Sequence, residues 1–214
     1  MQRAMDNITR DLPFVTVYID DILIASSSHS EHCDHLRQLF SRLSEHGLRI
    51  HPAKCLLGVE QLDFLGHRIS AEGIQALPQK VKEIADYPLP ETVSKLRNFL
   101  GVVNYYRRFL PAAAGKLQPL TDMTKGCGRT SVKKLQWSET NKDVFRAIKQ
   151  EMEKLVSLAH PSPHAKTSLA TDASATAVGA VLQQERKGEL IPIAFFSKGL
   201  SKTEKIYSTL TESY

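Results

Sequence analysis

The sequence predicts an α/β chain, and three observations carry that prediction. An alternating β-prone run, Val15, Val17 and Ile19 against Thr16 and Tyr18, breaks at Asp20-Asp21 and resumes as Ile22, Leu23 and Ile24. Apolar stripes at helical spacing then fill residues 78–156, punctuated by Pro88, Pro90 and Pro111. After Pro161 and Pro163, residues 167–172, 178–184 and 190–197 are expected to form three more strands, the last two joined around Lys187-Gly188.

In chain order, residues 1–9 are expected to form a helix with Met1, Met5 and Ile8 on one face, closed by Pro13. The two runs around Asp20-Asp21 make a tight hairpin with the acids at its turn. Ser28 with Glu31 three residues on is a capping box, and Leu36, Leu39, Phe40 and Leu43 give the following helix one apolar face before Gly47 ends it. From 48 to 76, short β-prone stretches broken by Pro52, Gly58, Gly66 and Gly73 predict small antiparallel strands. Helices follow at 78–86, at 92–109 with Val93, Leu96, Leu100, Val103 and Tyr106 on one stripe, and at 112–124. Residues 126–136 read as a basic loop, Ser138 caps a helix to 156 with Val144, Ile148, Met152 and Leu155 inward, and 202–214 begins a last helix.

Composition excludes several classes. The 214 residues are 42% hydrophobic and 24% charged, with a mean hydropathy of -0.26, so collagen-like, low-complexity and highly charged disordered chains fall away. No apolar run nears the roughly 20 residues that span a bilayer, and the N-terminal stretch has no secretory pattern. An intracellular protein with no membrane partner is expected. Cys33, Cys55 and Cys127 sit in no paired motif, which predicts reduced, buried thiols rather than a disulfide framework or zinc site. Residues 76–156 carry 15 Lys and Arg against 8 Asp and Glu, net +7, whereas residues 1–75 are net -3. Such a segment suits a polyanion, through counterion release, and equally suits a set of solvated helix faces.

Asp20-Asp21 is the sharpest chemical feature. Two unit charges 4 Å apart repel by about 4 kcal/mol at an effective dielectric near 20, a cost that a divalent cation removes. Hard oxygen ligands of this kind suit Mg²⁺, which binds through one or two carboxylates plus substrate phosphates. A bare Asp-Asp pair is otherwise a solvated turn. His29, His32 and His35 lack metal-ligand spacing and read as a solvated helix start.

The surroundings of that pair carry a resemblance. Tyr18-Ile19-Asp20-Asp21 resembles the YxDD hairpin of reverse transcriptases. Met1 to Asp6 is similar to the helix before that hairpin in the Pol polyprotein of gypsy-type LTR retrotransposons, and His51-Pro52-Ala53-Lys54-Cys55 to the family's NPxKC segment. Phe64-Leu65-Gly66-His67 resembles its FLGH primer grip, and residues 96–111 its thumb helix. Thr171-Asp172-Ala173-Ser174 with Gly179-Ala180-Val181-Leu182 resembles the start of its ribonuclease H domain.

The resemblance implies a partial reverse-transcriptase palm at 1–76, a helical thumb at 77–128, a connection at 129–164 and the N-terminal half of a ribonuclease H-like domain at 165–214. It implies RNA-directed DNA polymerisation coupled to RNA hydrolysis in a hybrid, by two-metal phosphoryl transfer. Asp20 and Asp21 would bind Mg²⁺ in the palm and Asp172 would bind Mg²⁺ in the ribonuclease H site; these three and Lys54 are the catalytic candidates. Tyr18 and Ile19 would meet primer terminus and nucleotide, Lys54 the leaving pyrophosphate, and Phe64, Leu65, Gly66 and His67 the primer strand. Without the family, Lys54 is a surface lysine, 64–67 a strand with a Gly bend, and Asp172 a turn residue. In the run Asn104 to Arg108, Tyr106 shares the apolar stripe, and Arg107 and Arg108 are left to grip nucleic-acid phosphate. Expected partners are an RNA or DNA template-primer, an RNA–DNA hybrid, dNTP and the rest of the polyprotein. The palm's other aspartate is expected before Met1 and the later ribonuclease H acids after Tyr214, with Glu212 one residue out of the family's register. The chain alone is therefore expected to be inactive. The alternative is a noncatalytic nucleic-acid-binding remnant that uses the basic middle segment.

Overall fold

A computed structural model describes residues 2–128, 130–201 and 203–206. Of the expected helix over 202–214, the described residues include a short 3-10 turn, Glu204–Ile206, and the rest, with Glu212, lies outside them. The chain forms two compact units, Met1–Phe64 and Leu65–Tyr214. Residues 65–76 thus group with the helices after them, and the segments 77–128, 129–164 and 165–214 share one unit, unlike the four-part division read from the sequence.

In the first unit, α1 (Gln2–Thr9) precedes β1 (Val15–Tyr18) and β2 (Asp21–Ile24), an antiparallel pair in the register Val15↔Ile24 to Tyr18↔Asp21. The hairpin turn is therefore Ile19-Asp20, one residue earlier than the acid pair suggested, and Asp21 opens β2. Next comes α2 (His29–Glu45), whose N-cap Ser28 accepts the Glu31 N–H at 3.2 Å. The return bond of the box goes from the Ser27 N–H to the Glu31 carboxylate and holds that carboxyl below its usual range. Met5, Leu12, Leu39 and Leu43 form the buried core. Phe40, placed on the apolar face by spacing, is exposed. Arg42 ties α2 to the loop before β1 with a two-pronged bond to Asp11 at 2.7 and 2.8 Å, which pulls the Asp11 carboxyl down to about 2. His35 stacks on Phe14 with ring centroids 3.7 Å apart, and both His32 and His35 bond Ser26 Oγ, so these two histidines are packed, whereas His29 is exposed as expected. A 3-10 turn at Pro52–Lys54 and β3 (Gln61–Phe64) complete the unit. The strands expected from residue 48 begin only at 61. Leu56, Leu57 and Val59 stay exposed, and β propensity acts only where a pleated face is partly covered.

The second unit opens with the antiparallel pair β4 (His67–Ser70) and β5 (Gly73–Ala76). Four helices follow: α3 (Pro78–Ala85), α4 (Val93–Tyr105), α5 (Ala113–Asp122) and α6 (Glu139–Glu153). The α4 stripe is buried as its spacing predicts, and Phe99, Phe145 and Leu158 join it in one core. Last come β6 (Thr167–Ala173), β7 (Ala177–Arg186) and β8 (Glu189–Gly199), an antiparallel meander in that order. The segment between α6 and β6 is tied to three strands. Leu158 exchanges two backbone bonds with Ile74 (2.8 and 2.9 Å), Ala159 donates to Pro192 O, and buried Gln184 bonds both backbone groups of Ser162. The three cysteines are partly exposed rather than buried. Among the described residues no helix is long and apolar enough to cross a membrane.

Candidate catalytic and nucleic-acid-binding residues

Asp20 and Asp21 stand at the tip of the β1–β2 hairpin, both exposed, and neither side chain has a hydrogen bond or ion pair among the described residues. Tyr18 and Ile19 beside them are also exposed, at 51% and 47%. Ile19 lies at φ 54°, a left-handed conformation that a β-branched residue rarely takes. Strain of that kind persists only where the surroundings hold it. Here the Ile19 N–H donates to Gln2 Oε1 at 2.5 Å, a role for Gln2 that no sequence pattern announced.

The donor set fits a hard divalent cation: two carboxylates, open to solvent and uncompensated by any internal cation. Among the described residues no three His, Cys, Asp or Glu side chains converge on one point, so this pair supplies two ligands and leaves the rest to water or phosphate. Lys54 ends the 3-10 turn of the same unit; it is exposed and has no ion pair among the described residues. Asp172, near the end of β6 and opposite Gly179, is exposed in the second unit.

The 65–67 turn is locked by α4. Leu65 and Gly66 have φ 46° and 72°. Tyr105 Oη donates to Leu65 O, and Tyr106 Oη donates to Gly66 O at 2.8 Å. A Cβ on Gly66 would stand 3.2 Å from Tyr106 Oη and 3.3 Å from a Tyr105 ring carbon, so glycine meets both the backbone angle and the close approach. His67 packs among Tyr105, Tyr106 and Phe109, with ring centroids at 5.2, 5.6 and 5.5 Å. Its Nδ1 bonds Leu65 O at 2.7 Å, while Nε2 is buried with no partner. Burial therefore pushes the imidazole below its ordinary value of 6.5, and nearby Arg108 adds to this. The unfolded chain takes up a proton at a higher pH than the folded one, so this contribution is complete above pH 6.5 and is lost as pH falls below it. In urea unfolding followed by Trp137 fluorescence, the native chain should lose more stability from pH 7.5 to pH 5 than His67→Phe does. Equal losses would remove the buried neutral imidazole from consideration.

The two arginines of the α4 end divide. Arg108 is exposed, with its guanidinium 5.6 Å from the Phe109 ring centroid and no acidic partner among the described residues. Arg107, expected on phosphate, donates from its guanidinium to Ser197 O on β8. Ser197, 3% exposed, also accepts the Ala114 N–H at 2.9 Å, and so caps α5, whose own N-cap Ala112 has no side chain to do it.

Comparison with known proteins adds to this geometry. Residues 1–69 match the family of reverse transcriptases (RNA-dependent DNA polymerases), and residues 137–213 match the RNase H-like domain found in reverse transcriptase. The chain is 36% identical over 217 residues to the retrovirus-related Pol polyprotein from transposon opus of Drosophila melanogaster, covering 98% of this chain and 22% of that polyprotein. It is 34% identical over 217 residues to the Pol polyprotein from transposon gypsy of the same fly, covering 97% and 21%. The chain thus spans about a fifth of the length of the curated relatives it matches. Its fold is similar, with a TM-score of 0.81, to a foamy viral protease-reverse transcriptase solved in complex with an RNA/DNA hybrid, at 22% identity over 98% of this chain and 28% of that one.

Proposed function

We propose, for a chain that belongs to the reverse transcriptase and RNase H-like region of gypsy-type retrotransposon Pol polyproteins, that it serves RNA-directed DNA synthesis and hybrid cleavage within its polyprotein. The observation that carries this reading is the exposed, uncompensated Asp20–Asp21 pair on a turn held in a left-handed conformation. Asp20 and Asp21 hold Mg²⁺ in the polymerase site, and Asp172 holds Mg²⁺ in the ribonuclease site. The bound ion supplies charge stabilisation at phosphoryl oxygens.

The chain's own residues do the rest. Tyr18 and Ile19 present an exposed apolar surface to the primer terminus and the incoming dNTP. Lys54 offers an unpaired ammonium that donates a hydrogen bond or proton to the departing pyrophosphate. The backbone of Phe64, Leu65, Gly66 and His67 holds the primer strand, made rigid at 65–66 by the hydroxyls of Tyr105, the last residue of α4, and Tyr106. Arg108 contacts template-primer phosphate.

Primer extension and hybrid cleavage by the polyprotein's reverse transcriptase, with this segment in place, test the reading: extension must depend on Asp20. Hybrid binding with no Asp20-dependent extension would favour the noncatalytic alternative. The isolated chain should bind a template-primer without sequence preference and more weakly as salt rises. Arg108→Ala should reduce the salt slope by about 1 for every sequence tested. Arg107→Ala should leave the slope unchanged and lower stability instead, because that guanidinium is spent on Ser197 O. A slope insensitive to Arg108 would place the phosphate contacts elsewhere.

A further inference from the structure

The Asp20–Asp21 turn is held by a residue from outside the hairpin. Gln2 sits at the start of α1, and its amide makes three bonds. Oε1 accepts the Ile19 N–H at 2.5 Å, and Nε2 donates to Val17 O at 3.1 Å and to Asp6 Oδ1 at 2.7 Å. Both Nε2 hydrogens are used, so the amide has one workable orientation. Turned over, it would set its NH₂ against the Ile19 N–H and its oxygen against two acceptors. Asp6, one turn further along α1, fixes that orientation. The amide thus grips the hairpin on either side of Tyr18, at the carbonyl of Val17 and the N–H of Ile19.

We propose that Gln2 is a positioning residue for the metal-binding pair: its bond to the Ile19 N–H holds the left-handed conformation on which the direction of the Asp20 carboxylate depends. The proposal rests on Asp20 and Asp21 being metal ligands. Ile19 cannot relax into this conformation by itself, since its branched Cβ disfavours it; a glycine at that position could.

Gln2→Met keeps the length of the side chain and removes all three bonds. The ¹⁵N-labelled chain gives two readouts: exchange of the Ile19 amide hydrogen, and Mn²⁺ affinity at the pair from paramagnetic broadening of the turn resonances. A net hydrogen bond is worth a factor of about 2–10 in an equilibrium, so Gln2→Met should weaken Mn²⁺ binding by about that factor. Ile19 exchange should quicken, and the unfolding midpoint should stay within error. The double variant Gln2→Met/Ile19→Gly should recover most of the affinity, which a merely structural role for Gln2 would not produce. Unchanged Ile19 exchange or unchanged Mn²⁺ affinity in Gln2→Met overturns the proposal. If instead Asp20→Asn binds Mn²⁺ as tightly as the parent, the metal assignment of the pair has failed. The clamp is then decided by exchange alone: faster exchange in Gln2→Met upholds it, unchanged exchange overturns it.

Discussion

Asp20→Asn is expected to slow nucleotide addition by about 10²–10³-fold in a reverse transcriptase containing this segment, the scale set by removing one preorganised electrostatic group from a transition state. The amide keeps the shape of the side chain and deletes the charge, so a folding defect is not expected at an exposed hairpin tip. Cleavage of the RNA strand of a hybrid should continue. Asp172→Asn should do the reverse, because it lies on β6 in the other compact unit. Lys54→Ala should slow addition less than Asp20→Asn does, since a lysine that assists the leaving group is helped by water in its absence. Measuring both activities of all three variants on one hybrid substrate decides the matter. Equal loss of both activities from either aspartate change, in a folded protein, would contradict two separate metal sites.

Gly73→Ala is expected to be the most damaging small substitution in the second unit. Gly73 has φ 148°, and a Cβ there would stand 2.2 Å from Leu158 O, 3.0 Å from the Leu158 carbonyl carbon and 3.2 Å from Ala159 Cα. All three are backbone atoms, which cannot step aside as a flexible side chain can. Relief requires moving the 157–159 segment, with loss of the two Ile74–Leu158 bonds and of the burial of Leu158, which is 0% exposed. Backbone strain, two buried hydrogen bonds and a disturbed core residue together suggest a cost of about 3–5 kcal/mol. Gly188→Ala, in the same unit, is the control. Gly188 has φ 82° with nothing within 4 Å of the added Cβ, so only the backbone term of about 1–2 kcal/mol applies. Trp137, the only tryptophan, packs against the core of the second unit and reports its unfolding in urea. A Gly73→Ala chain with an unshifted Trp137 transition would mean that the 73–158 contact does not support the core.

Much of the local architecture was legible from residues a few positions apart. The stripe Val93, Leu96, Leu100, Val103 and Tyr106 is buried as its spacing requires, Ser28 and Ser138 cap the helices they were expected to cap, and the last two strands pair across Lys187-Gly188 as expected. Each of these signals depends on one side chain and neighbours within one helical turn or one strand repeat. The candidate acids were legible for the same reason, as an unusual charge pair between two apolar runs.

The sequence by itself, then, determined most of the helices and strands, though not where β3 begins, and that two adjacent carboxylates stand at a hairpin turn. Tertiary structure decided what those groups face. It moved the hairpin turn to Ile19-Asp20, brought Gln2 to the Ile19 N–H from 17 residues away, and committed Arg107 to Ser197 O, 90 residues away. It also pressed Leu158 O against Gly73 and joined the segment 158–162 to β5, β7 and β8. Such pairings come from which surfaces bury one another once long loops close. Closure depends only weakly on loop length and leaves no periodic mark, so an arginine that grips a carbonyl and one that stays exposed look alike until the chain has packed.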